Sequence, residues 1–329
     1  MSDARQDGIV ARLHDAVCRL LGPPGDISEL RRLTAGATKA TWFFKAQVSS
    51  TNLPLILQTT NGSSRQGDDA TLPLVAGEND AALMMAASRA GVPAPTVRAV
   101  LTEDCGVGEG YIMDYVPGET IARRILREPR FAPLRQSFAA QCGEILARIH
   151  KIEANCVPFL TELSAQSQIA VYRNIYHRYD HPVPALEVAF RWAEEHMPLA
   201  GLHDAVVHGD FRMGNLICDE ERIQAVLDWE LACLGDPMQD LGWLCVKTWR
   251  FGGQNPVGGI GQRADLFAAY ERAGGIAVDP ARVRFWEAWG CIKWAIICLM
   301  KGQSQRSVEA FAIGRRMEEP LYDFLEFIG

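Results

Sequence analysis

The stretch Val206–Asn215 reads VVHGDFRMGN, two β-branched apolar residues followed by His208, Gly209, Asp210 and, after a short interval, Gly214 and Asn215. The valines predict a short buried strand. Glycine is unfavourable inside regular structure, so the two glycines predict a loop with unusual dihedrals or a close approach. Downstream, Leu216–Cys218 and Ile223–Leu227 flank the charged turn Asp219–Arg222, a hairpin pattern. If Cys218 pairs with Ile223, opposed positions sum to 441 and Asp228 faces roughly residue 213. Antiparallel neighbours lie about 4.8 Å apart, so Asp228 should return beside the loop that holds Asp210 and Asn215. Two carboxylates and an amide oxygen converging from separate segments suit Mg²⁺, which takes few protein oxygens and completes its shell with water and phosphate.

The rest of the chain is compatible with a large soluble protein. It has 329 residues, 48% hydrophobic and 22% charged, enough for one large domain or two lobes. A net charge of -7 argues against nucleic-acid or anionic-membrane partners, which favour a basic face. Near the N-terminus, Ile9, Val10, Leu13, Val17, Leu20 and Leu21 have helical spacing broken by charges, unlike an export signal. The apolar tract AWGCIKWAIICLM is interrupted by Lys293, leaves far fewer than the roughly 20 residues a bilayer span requires, and reads as a buried helix. Nine cysteines without a C-x-x-C pair fit a reducing cytoplasm better than a disulfide framework or zinc site.

Along the chain, Gly22–Gly25 (GPPG) ends a first helix, and Ala40–Val48 and Leu53–Thr59 read as strands. A polar loop, expected to be mobile, occupies Asn61–Asp69. Gly77–Ala90 reads as the small lobe's single helix and Tyr111–Val116 as another strand, closed by Pro117-Gly118. Beyond Thr120 helical spacing dominates, as in Phe138, Cys142, Ile145, Leu146 and Ile149. The fold class is therefore α+β and bilobal, a strand-rich unit over 1–117 and a mainly helical one over 118–329.

The D-x-x-x-x-N spacing of Asp210 and Asn215 is that of the protein-kinase catalytic loop. Together HGDFRMGN, LDWE and GDPMQDLGW resemble the aminoglycoside phosphotransferase and choline kinase family, small-molecule relatives of protein kinases, and within it the branch whose kinase-like domains are fused to acyl-CoA dehydrogenases. The resemblance is strongest over Val206–Trp243 and implies a protein-kinase-like fold with ATP and Mg²⁺ as cofactors. It further implies Asp210 as catalytic base, Asn215 and Asp228 as metal ligands and His208 as a brace, with Asp236 and Asp240 in support. Asp236 also reads as the cap of the helix that Pro237 opens. In the small lobe it implies a phosphate-covering turn at Gly36, an orienting glutamate at Glu78, and a hinge, Met113–Val116 with Met113 and Tyr115, whose backbone reads adenine.

The sequence departs from the family at Gln58, where a strand lysine or arginine is expected. Glutamine offers no charge to phosphates, so either Lys39 or Lys45 supplies the cation, or phosphate binding is weakened. Arg212 either reaches an anionic acceptor or phosphoryl oxygen, or pairs with an acid to brace the loop. Tyr172, Tyr176 and Tyr179 have the spacing of a packed aromatic face, beside Arg173, His177 and Arg178. These cations favour a neutral or anionic hydroxyl acceptor over an aminoglycoside. Trp286, Trp289 and Trp294 either wall the acceptor pocket or fill core. The reading is a small-molecule kinase in the cytoplasm, with homodimer assembly left open. The alternative is a nucleotide-binding pseudokinase, and a metal-dependent hydrolase built on His208 and Asp210 ranks last.

Overall fold

Side-chain alternation along Lys39–Val48 (β2) sorts the first sheet into two covered faces. In the computed structural model, which describes residues 3–35, 39–60, 72–179, 182–199, 205–304 and 308–329, Phe44 and Ala46 pack with Leu13, Ala16 and Val17 of α1 (Asp3–Leu20). Phe43 points the other way, onto Ala81 and Met84 of α2 (Glu78–Arg89). Fully burying each such large side chain is worth roughly 1.5–3 kcal/mol. The sheet is antiparallel in the order β1-β2-β3-β5-β4, with β1 Pro24–Ala35, β3 Thr51–Thr60, β4 Val97–Leu101 and β5 Gly110–Asp114. Two corrections follow. β1 and β4 were absent from the sequence reading, and the sheet carries a helix on each face rather than a single one.

From Ala122 onward helices dominate: α3 Ala122–Arg127, α4 Ala132–Ile149, α5 Ala165–His177 and α6 Pro184–His196. The loop region interrupts them with β6 Ala205–Val207, the hairpin β7 Leu216–Cys218 and β8 Ile223–Val226, and β9 Cys233–Gly235, which pairs with β6. Helices α7 Met238–Cys245, α8 Arg263–Arg272, α9 Pro280–Ser304, α10 Val308–Gly314 and α11 Glu318–Ile328 complete the chain. Phe138, Cys142, Ile145, Leu146 and Ile149 share one core with Trp286 and Trp289, and this core reaches Leu83 and Ala87 of α2. The tyrosines of α5 form the packed aromatic face expected of their spacing, since Tyr172 and Tyr176 are buried in that core. No helix of the described residues is long and apolar enough to cross a membrane. None of the nine cysteines is paired in a disulfide.

Candidate active site

β6 ends at Val207 and the chain turns at Gly209, whose φ of 77° and contact with the Leu231 carbonyl leave no room for a side chain. Asp240 of α7 holds this turn from behind, accepting N–H donors from His208 (2.8 Å) and Gly209 (2.9 Å). His150 completes the set at 3.1 Å. Burial alone would raise Asp240, but the hydrogen bond from His150 and the backbone N–H of His208 outweigh it and hold the carboxyl below the usual range. The Asp210 N–H donates to His208 Nδ1 at 3.2 Å, which makes that nitrogen an acceptor and leaves Nε2–H to donate to the Leu227 carbonyl at 3.1 Å. His208 is thus a neutral brace between the loop and β8, and burial lowers its pKa accordingly.

The Asp210 carboxylate accepts from Trp243 Nε1 (2.9 Å) and Arg212 Nε (3.1 Å) on Oδ1, and from Asn215 Nδ2 (2.7 Å) on Oδ2. Arg212 stacks over Trp249 at 4.6 Å, so its observed contacts brace the loop. The hairpin forms as expected at Cys218↔Ile223, but a register shift beyond it pairs Ile217 with Ala225 and Leu216 with Val226. The shift moves the pairing by one residue, and Leu227 N–H donates to the Asn215 carbonyl at 2.8 Å, so Asp228 follows directly on the residue bonded to Asn215. A left-handed backbone at Asp228 (φ 60°, ψ 64°), which aspartate tolerates better than most residues, then turns the chain out of the strand. Burial raises the Asp228 pKa; Lys39 opposes this and the nearby charge of Asp210 adds to it.

On the small-lobe side, Lys39 Nζ lies 2.7 Å from Asp80 Oδ2 and 3.8 Å from Glu230 Oε2. Burial would lower the Lys39 pKa, but the charges of Asp80, Glu230 and Asp228 outweigh it and raise it. The acid that α2 aims at this lysine is Asp80, not Glu78, which is the exposed first-turn acid that its place at the start of the helix also allowed. Lys45 is engaged elsewhere, 2.6 Å from Glu29. Gln58 contacts the Tyr111 hydroxyl, which also lies 3.0 Å from Asp80 Oδ2. Met113 is buried in β5, and Tyr115 sits edge-on to Phe43 at 5.1 Å, its N–H donating to the Pro54 carbonyl. Gly36 and the Asn61–Asp69 loop lie outside the described residues.

A model of the phosphotransferase enzyme family matches residues 29–286, well over half of the chain, including Lys39, Asp80, Asp210, Asn215, Asp228 and Asp240. The chain belongs to that family. Its 31% identity to acyl-CoA dehydrogenase family member 10 of Mus musculus extends over 52% of this chain and 17% of the relative; member 11 of Gallus gallus is 26% identical over 73% and 32%. The chain thus spans about a third or less of these relatives. Among solved structures, an aminoglycoside phosphotransferase candidate from Ralstonia eutropha JMP134 superposes with a TM-score of 0.72 at 23% identity, covering 96% of this chain and 97% of that one. Aminoglycoside phosphotransferase APH(4)-Ia in complex with AMP-PNP and hygromycin B gives 0.60 at 16% identity, covering 96% and 98%. The fold of this phosphotransferase family member is the bilobal kinase-like one.

Several residues that build the family member's site were not singled out from sequence for it. Trp243 N–H holds Asp210, and Lys293 of α9 donates to the Gly209 carbonyl at 2.7 Å while lying 4.4 Å above the Trp243 ring. Burial lowers the Lys293 pKa, with the charge of Asp210 opposing. The interruption of an apolar helix by one lysine was the legible signal. Asp236 performs the capping expected of it, accepting from Met238 N–H at 3.0 Å, and also pins α9 through Arg282 (2.5 Å) and Trp286 (2.6 Å). Trp286 and Trp289 are core; Trp294 stands beside Trp249 at 4.8 Å in an open cleft of about 860 Å³.

Proposed function

We propose that the protein transfers the γ-phosphoryl group of ATP, bound with Mg²⁺, to a hydroxyl of a small molecule. The observation that carries this reading is the convergence of Asp210, Asn215 and Asp228 through the β7–β8 hairpin. The donor set fits a hard divalent cation. Asn215 spends its N–H group on Asp210, and among the described residues no hydrogen bond reaches its amide oxygen or the Asp228 carboxylate. When bound, the metal would neutralise charge on the nucleotide phosphates. Asn215 and Asp228 would hold it, and the Met113–Val116 hinge would receive the base.

Asp210 orients the acceptor. An ionised carboxylate has about four lone-pair positions, of which Trp243, Arg212 and Asn215 occupy three. The fourth is left for the acceptor hydroxyl, whose proton passes to Asp210 as its oxygen bonds to the γ-phosphorus and the bond to the β-phosphate oxygen breaks, releasing ADP. Positioning and charge neutralisation supply most of the rate.

The cleft beside Trp249 adjoins the catalytic loop through Arg212 and is the proposed acceptor site. Its Lys247 and Arg316 are paired with Asp323 and Glu319, and of the remaining charges Arg123 and Arg127 outnumber Glu318. That balance favours a neutral or anionic acceptor over a polycationic one.

The test is Mg²⁺-dependent phosphate transfer, or slow ATP hydrolysis, by wild type and Asp210→Asn. The expected loss is about 10²- to 10⁴-fold, the usual worth of a positioned base; equal rates would remove Asp210 from the mechanism. The uncharged Gln58 motivates one rival, a nucleotide-binding pseudokinase. It would be favoured by Mg-ATP binding without turnover on a broad panel of hydroxylated metabolites.

A further inference from the structure

Position 58 on β3 offers no cation, yet the carboxylate such a cation would meet is in place. Asp80 is buried, with Oδ2 on Lys39 and Tyr111 and Oδ1 without a hydrogen-bond partner. We infer that Lys39, reaching in from β2, has taken over the phosphate-binding and lobe-coupling work of the missing β3 lysine. This rests on the phosphotransferase reading above and concerns which residue of this chain serves it.

The register explains how one side chain can replace the other. Thr41 pairs with Gln58 and Lys39 with Thr60, so Lys39 lies one strand over and two residues along, roughly 5 Å and 7 Å away. A lysine stem spans that gap. Lys39 Nζ then stands between Asp80 of α2 and the turn after β8, near Asp228 and 3.8 Å from Glu230. It therefore ties the sheet, its helix and the proposed metal-binding turn to one point. Lys45 shares its face of β2 but lies six residues further on, about 20 Å away, and is held by Glu29. Arg31 is stacked at 4.6 Å over Phe43, whose ring also meets Tyr115 of the hinge at 5.1 Å.

The experiment measures binding of Mg-ATP and of adenosine by calorimetry to wild type, Lys39→Met, Lys45→Met and the double variant Lys39→Met/Gln58→Lys. A charged hydrogen bond to phosphate is worth about 10- to 100-fold in affinity. Lys39→Met should lose that for ATP and leave adenosine unchanged, and Lys45→Met should match wild type for both. Gln58→Lys, donating to the vacant Asp80 Oδ1, should restore ATP affinity to the Lys39→Met background. ATP binding that survives Lys39→Met, or a loss shared equally by adenosine, overturns the assignment. If Lys39→Met does not fold because Asp80 is stranded, Lys39→Met/Asp80→Asn removes the stranded charge, and wild-type ATP affinity in that variant overturns the assignment equally. Wild type that binds neither ligand would instead overturn the phosphotransferase reading itself, and this inference with it.

Discussion

Asp240 touches no substrate in this account, yet it fixes the turn that aims Asp210. Its carboxylate is fully buried and accepts from two backbone N–H groups and His150. Asp240→Asn turns an N–H group toward those donors and should cost about 2–4 kcal/mol at neutral pH. Because its folded pKa is depressed, this stabilisation is present above the ordinary carboxylate range near 3.8 and is lost as pH falls through the lower folded value. Denaturant unfolding of both proteins across pH should show the gap closing on acidification; a gap independent of pH would contradict the assignment. The same scale shows what the sequence withheld. Glu78 and Asp80 both open α2, but the residues three, four and seven positions after Asp80 (Leu83, Met84, Ala87) are all buried, whereas Met85, seven after Glu78, is exposed. Helix phase therefore pointed to Asp80, and the expectation of a glutamate obscured it. Asp210, Asn215 and Asp228 were legible because their spacing is set by one loop and one hairpin.

At the level of elements, the helix pair α7 and α9 carries the supports of the catalytic loop: Asp240 and Trp243 on one, Lys293 on the other. The pair packs closely at Gly242, where a methyl group would lie 2.7 Å from Trp286 Cβ and 2.8 Å from the Glu287 nitrogen and the Val283 oxygen. Gly242→Ala should thus cost about 1–3 kcal/mol through overpacking. It should also slow phosphate transfer at temperatures where the protein remains folded; thermal unfolding with parallel rate assays checks both, and an unchanged melting point would show that the helices have slack. Central strands β2, β3 and β5 were readable from apolar alternation. Edge strands β1 and β4 were not, since Glu29, Arg31 and Arg32 of β1 and Arg98 of β4 place charges along them, a common way of blunting a sheet edge. The hairpin pairing was readable at its turn but not its one-residue shift, because the extra residue, Gln224 of β8, carries no side-chain signature of a bulge.

Across the whole molecule, the two lobes meet where their charges do not balance. Asp80, Asp210, Asp228 and Glu230 stand against Lys39, Arg212 and, behind Asp210, the buried Lys293, so that carboxylates outnumber cations at this junction among the described residues. Without a cation that excess is a burden. With its pKa raised, Asp228 favours the fold in its protonated form, a contribution present below the ordinary carboxylate range and lost as pH rises through the folded value. A divalent ion would cancel the excess and let a triphosphate enter. The most direct measurement is therefore calorimetric titration of ATP into the protein with Mg²⁺ and with EDTA, repeated on Asp228→Asn. The account predicts tight binding only for wild type with Mg²⁺, weakened at least tenfold by EDTA or by the substitution, the scale of one lost charge-assisted contact. Equal affinity under all of these conditions would contradict it.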